Sequence, residues 1–459
     1  MNPDRATLDA MHRRLAILAS TLVLAVGAVV VPSPATASAN AMSVVGQRQV
    51  VPGSVNRTSI NLEATYDARI RIGWDSRNVK VESIATIRNT SGVSIDRVEL
   101  NTVAPRLGAM TLTDALVDGQ SVDASVSDQT IIVPLGGILL DGATVVVEVR
   151  YAARLKTSLG GSNWMFAKAN GIANLYRWLP WVSRKTPFDR PNFGDPFVTP
   201  TSPLVRVRIV PDRTMRFATS GEKVATEGLT QTFEARNVRD FTITASPSFV
   251  TRSTTVGSTK IVGIARSTTV ANRLRDEGAR AFGKLKALLG SYPYPTLRVV
   301  QSAGGYAMES PTLVWLPYGL ETSRYRYLVT HEVAHQWFYG LVGSDQARQP
   351  FTDEAAADFV TRYVLSQRRG SSCATRELDH TIYYYPSSCY FEIIYIQGGN
   401  LLNTARTRMG SSAFWAALRG YLADNRYKLV GSETLLDALD DGTSLNLSSL
   451  FSPRLPGIY

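Results

Sequence analysis

Five consecutive residues, His331-Glu332-Val333-Ala334-His335, carry the chemistry most readily read from this chain. Imidazoles four positions apart lie on one face of an α-helix, where both can chelate one ion. Glu332 sits one step round the helix, within reach of a water on that ion. Glu354 follows His335 after 18 intervening residues. Two histidines and a glutamate leave one position of a tetrahedral zinc ion open, which is the catalytic arrangement rather than the structural one. Zinc brings the pKa of a water it holds to about 7, and a neighbouring carboxylate can take the proton during attack on a carbonyl. The competing reading is a surface helix with unrelated charges. The scarcity of histidine argues against it: beyond the N-terminal segment only His331, His335 and His380 remain, and two of the three fall in the pattern. His380 reads as a solvated or hydrogen-bonded side chain.

The elements that must position these groups are legible as changes of period. Leu328, Val329, Val333, Ala334 and Trp337 supply an apolar face for the histidine-bearing helix, and Thr322 or Ser323 is placed to cap it. Glu354 falls in a second helical stretch, Thr352 to Phe359. Asp358, one helical turn further, either orients a ligand histidine or is an exposed helix acid, and the sequence leaves both open. Upstream, Val270, Leu274, Ala281, Phe282, Leu285, Leu288 and Leu289 fall at helical spacing and Gly290 ends the run. Leu297 to Val300 reads as a short strand. Earlier still the period is two, as in Leu62-Glu63-Ala64-Thr65-Tyr66, Val79-Lys80-Val81-Glu82 and Val205-Arg206-Val207-Arg208-Ile209. Turn signals at Asn89-Thr90-Ser91-Gly92 and Asp118-Gly119 break the alternation into hairpins. The fold class expected is multi-domain α+β: an antiparallel β domain over 40–255, then a mostly helical domain over 256–459. The Ser/Thr/Gly-rich stretch Thr251 to Lys260 is expected as the linker between them.

With 459 residues, 44% hydrophobic and 19% charged, the chain is long enough for two or three packed domains. Its net charge is +11. No dense Lys/Arg run with interleaved aromatics is present, so nucleic acid is not an expected partner, whereas a basic surface suits an acidic envelope or membrane surface. Residues 1–39 read as a signal peptide: His12-Arg13-Arg14, then 17 uncharged residues from Leu15 to Val31, then Ala35-Thr36-Ala37-Ser38-Ala39. Cleavage is expected after Ala37 or Ala39, an uncleaved anchor being the alternative. The expected location is outside the cytoplasm. In that setting the two cysteines, Cys373 and Cys389, read as a disulfide closing a loop of about 17 residues.

Further motifs surround the histidine pattern. Tyr306-Ala307-Met308-Glu309-Ser310 resembles the G-A-M-E-N motif of the aminopeptidase-N family of gluzincin zinc metallopeptidases, with Glu309 standing 22 positions before His331. His331 to Phe338 resembles the family's H-E-x-x-H-Q-W-F, and Tyr395-Ile396-Gln397-Gly398-Gly399-Asn400-Leu401-Leu402 its Y-x-K-G-x-x-x-L. The resemblance implies a thermolysin-like catalytic domain holding Zn2+ through His331, His335 and Glu354, with Glu332 as general base. It implies that Glu309 holds the free α-amino group of a peptide, that backbone at Gly304, Gly305 and Ala307 lies along the scissile peptide, and that Tyr395 donates to the oxyanion. On residue chemistry alone Tyr383, Tyr384, Tyr385 and Tyr390 compete for that last role. The sequence departs from the family at Tyr306 (Gly), Ser310 (Asn), Gln397 (Lys) and Asp353-Glu354-Ala355 (Asn-Glu-Gly). The expected function is removal of N-terminal residues from peptides. An endopeptidase of the same mechanism and a zinc-containing surface protein with little turnover are the alternatives.

Overall fold

In the computed structural model, residues 49–185 and 197–459 are described. The segment expected to be a signal peptide lies outside them. Among the described residues, no helix is long and apolar enough to cross a membrane.

The two-residue period of the N-terminal half folds as strands. In Asn78–Asn89 every second residue is buried, so Val79, Val81, Ala85 and Ile87 point inward while Lys80, Glu82 and Arg88 face water. This strand lies between Leu62–Ile72 and Thr144–Arg154, antiparallel to both. Among the described residues they centre an eight-stranded sheet. Pairing is antiparallel throughout this sheet except that Val205–Pro211 runs parallel to Leu62–Ile72. A smaller sheet of four strands includes Phe166–Ala169 and Ile172–Leu175, and the latter strand touches Thr296–Ser302. Each buried Val or Ile side chain contributes about 1.5–3 kcal/mol, so the alternation itself fixes which face is core.

Thr251–Lys260 is not a linker. Val250–Val256 and Thr259–Ala265 form an antiparallel hairpin, and the second strand pairs in parallel with Thr296–Ser302. That strand pairs with Leu313–Pro317, and Met308–Ser310 closes the sheet as an antiparallel edge. The expected boundary at 255/256 therefore falls inside a hairpin, and the second sheet starts earlier in the sequence. Helix Thr268–Leu289 packs over this sheet through Ala271, Leu274, Phe282, Leu285 and Leu289. Ser267 caps its start, accepting from the Val270 amide at 3.3 Å. From Tyr325 onward the chain is mostly helical.

Residues 47–459 form one compact unit. Its β half meets its helical half across a buried polar seam. One carboxylate oxygen of Asp240 accepts from Ser310 and the other from the Tyr339 hydroxyl. Arg177 donates to the Tyr339 hydroxyl at 2.8 Å and to the Arg239 carbonyl at 3.2 Å. Arg239 in turn donates to the carbonyls of Thr199, at 3.0 Å, and Lys428, at 3.2 Å. Ser310, at the family's Asn position, is thus occupied in holding the two halves together.

Candidate metal centre and its cavity

Helix Tyr325–Ala334 carries His331 and Glu332, and His335 stands at its C-cap. Val329, Val333, Ala334 and Trp337 are buried as expected, whereas Leu328 is half-buried and lines a cavity. Neither expected cap forms. Thr322 and Ser323 belong to a 3-10 turn that runs directly into the helix, and no side chain caps its first amides. Gln336 fixes the helix end instead. Its side-chain amide donates to the Ser310 carbonyl at 2.9 Å and accepts from the Thr312 amide at 2.8 Å. The histidine helix is thereby tied to the edge strand that carries Glu309.

Glu354 arrives on a π-helical turn, Phe351–Ala355, and Tyr395 on another, Phe391–Gln397. Such wide turns concentrate at functional sites because they re-aim a side chain that α geometry would misplace. The two segments touch. At Gly398 an added Cβ would stand 2.7 Å from the Ala355 Cβ, so only glycine permits that approach.

Nε2 of His331 lies 3.2 Å from Nε2 of His335 and 3.3 Å from Oε2 of Glu354, and the His335–Glu354 separation is 3.4 Å. A tetrahedral ion with bonds of about 2.0–2.1 Å has ligand–ligand edges of about 3.3–3.4 Å. The three atoms therefore span one face of such a tetrahedron, and they fit a zinc ion with its fourth position open. All three side chains are buried. The Nδ1–H of His335 faces Asp353 Oδ1 at 2.7 Å, which leaves Nε2 with its lone pair toward the ion. Burial would raise the Glu354 carboxyl, but its close approach to the His331 and His335 rings outweighs this and lowers it.

Asp353, not Asp358, is the acid behind a ligand histidine. Asp358 is wholly buried and binds the Tyr327 hydroxyl and, at 2.6 Å, Arg362, so neither alternative open at the sequence level describes it. The second Asp353 oxygen accepts from Gln346, which also donates to Glu309 at 3.2 Å. A chain of contacts thus links His335 to Glu309. Gln346 stands in no motif, and only its place in space reveals it.

The cavity over these groups measures about 540 Å³. Glu309, Glu332, His331, His335, Glu354, Tyr395 and Ala307 all line it. Gly304 and Gly305 do not stand among its lining residues. They pack on the β half, where an added Cβ would meet Leu159 at 2.7 Å and Trp164 at 2.2 Å respectively. Trp164 itself lines the cavity and stands edge-on to Tyr306 at 5.8 Å, so the β half supplies part of the wall. Burial pushes the Glu332 carboxyl well above the usual range; His335 opposes this, and Glu309, Glu354 and Asp353 add to it. A dication among the three ligand atoms supplies the opposing charge.

The tyrosines separate by position. The Tyr395 ring stacks on His331 at 5.5 Å, and burial and the Glu354 charge push its hydroxyl pKa well above 10. Tyr390 also lines the cavity, packed on Tyr395 at 5.9 Å. Tyr384 stacks on His380, and Tyr385 donates to the Glu377 carbonyl, both away from the ligand atoms. His380 is hydrogen-bonded to Glu377 at 2.8 Å. Cys373 and Cys389 are joined, and Gln397, at the family's Lys position, donates to the Cys373 and Ala374 carbonyls. That substitution therefore serves to hold the disulfide loop.

No protein-family model matches this sequence, and no curated protein matches it. Solved structures do. The M1 zinc metallopeptidase from Deinococcus radiodurans is 18% identical with a TM-score of 0.68, over 90% of this chain and 97% of that one. A mutant of that enzyme solved with a Tyr-Ser-Ala substrate is 18% identical with a TM-score of 0.67 over the same shares. A two-domain M1 zinc metallopeptidase mutant bound to L-tryptophan is 18% identical with a TM-score of 0.68, over 90% of this chain and 98% of that one. The likeness establishes a shared two-domain fold.

Proposed function

We propose that this chain is a zinc aminopeptidase that hydrolyses the N-terminal residue from peptides. The observation that carries the reading is the triangle of ligand atoms, matched to the face of a zinc tetrahedron, with Glu309 and Glu332 in the same cavity. The shared fold with metallopeptidases crystallised with a peptide and an amino acid supports it.

Zinc at this site supplies Lewis-acid polarisation of a carbonyl and a water acidic enough to react near neutral pH. The chain's residues do the rest. Glu309, on the edge strand Met308–Ser310, receives the α-ammonium and so sets where the first peptide bond lies. The free side of that strand offers backbone groups to an extended peptide. Glu332 takes a proton from water and returns it to the departing amine, a role worth about 10²–10⁴-fold in rate. Tyr395 donates a hydrogen bond to the carbonyl oxygen as negative charge gathers on it. The Trp164 and Tyr306 rings, edge-on to each other at 5.8 Å, form the adjoining wall.

Action outside the cytoplasm belongs to the same proposal. The N-terminal segment supports it, and so does the Cys373–Cys389 disulfide, since such bonds persist in oxidising compartments. The net charge of +11 supports contact with an anionic envelope.

The test is hydrolysis of matched fluorogenic peptides with free and acetylated N-termini, with and without a chelator. Cleavage of the free-amine set alone, lost on chelation, is expected. Equal cleavage of both sets would make the enzyme an endopeptidase, and cleavage of neither would leave a zinc-binding surface protein. Glu332→Gln should abolish turnover with zinc still bound; a variant that remained active would overturn the role given to Glu332.

A further inference from the structure

The cavity is electrically lopsided. On the His335 side, contacts pass through Asp353 and Gln346 and end on the Glu309 carboxylate. On the His331 side they end on a cation. The Tyr327 ring lies nearly parallel to His331, 5.9 Å away at 11°, and the Arg369 guanidinium stands over Tyr327, 4.9 Å from its centroid. Arg369 and Arg324 both line the cavity, both are exposed, and neither has a carboxylate partner among the described residues. The Arg369 segment is held at its base, where Asn400 donates to the Arg369 carbonyl at 3.4 Å.

We propose that Arg369, with Arg324 lining the same cavity, binds the C-terminal carboxylate of the substrate, so that the preferred substrates are tri- and tetrapeptides with a free C-terminus. This rests on the aminopeptidase reading above. Held over the Tyr327 ring, the Arg369 guanidinium has the forked N–H groups for a two-pronged bond to a carboxylate, a geometry lysine cannot reproduce. Spacing sets the length. An extended peptide advances about 3.3–3.6 Å per residue. The two ring spacings bound the reach from His331 out to the guanidinium, which corresponds to at most about three residues beyond the scissile bond, after the single residue held by Glu309. Charge sets the direction, because the buried carboxylates at the other end repel a substrate carboxylate and attract its ammonium.

The experiment compares kcat/KM for Ala-Ala-Ala as free acid and as C-terminal amide, with hexa-alanine as acid and amide and an acetylated tripeptide alongside. For the unaltered enzyme the tripeptide acid should exceed its amide by about ten- to a hundred-fold, mostly through KM. Hexa-alanine should show a ratio near one, because its terminus passes beyond Arg369. In Arg369→Gln the tripeptide ratio should fall to near one, and Arg369→Lys should restore part of it. The ratio is internal to each variant, so partial misfolding does not alter it. A tripeptide ratio near one in the unaltered enzyme, an unchanged ratio in Arg369→Gln, or an equal ratio for hexa-alanine would each overturn the proposal while the aminopeptidase reading stood. Cleavage of the acetylated tripeptide would overturn that reading instead.

Discussion

Replacing Asp353 by alanine should loosen the metal without unfolding the protein. Asp353 is buried, and its Oδ1 holds the His335 Nδ1–H at 2.7 Å. Two effects follow from its removal. The imidazole loses the partner that fixes its ring orientation and tautomer, and Nε2 loses the extra basicity a carboxylate lends through the ring. Loss of such a partner costs 10–100-fold in metal affinity, or about 1.4–2.7 kcal/mol. Asp353→Asn keeps an acceptor oxygen at the same place but removes the charge. Charge-assisted hydrogen bonds are roughly twice as strong as neutral ones, so asparagine should recover about half of that free energy. Its affinity should fall only about 3–10-fold. The assay is competition for zinc against a chromogenic chelator of known affinity at fixed pH, with thermal unfolding in parallel. Asp358→Asn is the matched control. It removes charge from an acid that serves Tyr327 and Arg362, so it should lower the melting temperature and leave zinc affinity within about twofold. If Asp353→Ala bound zinc like the unaltered chain, or Asp358→Asn weakened it more, the reasoning from hydrogen-bond geometry would be refuted.

Three further outcomes are expected. Tyr395→Phe should lower kcat by about 10²–10³-fold with little change in KM, as for loss of one oxyanion donor; steady-state kinetics showing the loss in KM alone would remove Tyr395 from that role. Gly305→Ala should destabilise by about 2–4 kcal/mol, since φ is +93° and the new Cβ would stand 2.2 Å from the Trp164 Cγ. Denaturant midpoints would detect this, and an unshifted midpoint would mean that the Trp164 contact is not made. Replacing Cys373 and Cys389 by serine should cost about 3 kcal/mol by the loop-entropy argument and speed proteolysis between them, and equal digestion rates would count against the bond.

The candidate ligand histidines were legible because helical period is a local property: His331 and His335 need only one regular helix to stand together. Glu354 was legible through its distance from His335 but not through its setting. The turn that carries it is π-helical, and the argument placing Asp358 one turn beyond Glu354 assumed α geometry. A wide turn is sustained by packing, here against the Tyr395 turn, and leaves no local pattern to read. Thr251–Lys260 was misread for a different reason. Its first strand is mostly exposed, so no apolar alternation marks it, and Ser and Thr there resemble a loop. The β half itself was readable, since its strands have one wet face. Trp164 and Arg369 reach the cavity, and Gln346 reaches Asp353 and Glu309, from segments whose spacing along the chain says nothing about them.

The buried seam at Asp240 bears on how such a chain can be inherited. Several of its hydrogen bonds cross from one half to the other: Asp240 accepts from Ser310 and Tyr339, and Arg239 donates to the Lys428 carbonyl. Cutting between the halves would break these buried hydrogen bonds and expose the polar groups that make them. The metal-bearing half is therefore a poor candidate for recombination onto a foreign partner. Additions at the termini leave the seam intact, whereas an exchange of either half must carry the residues on both sides of it.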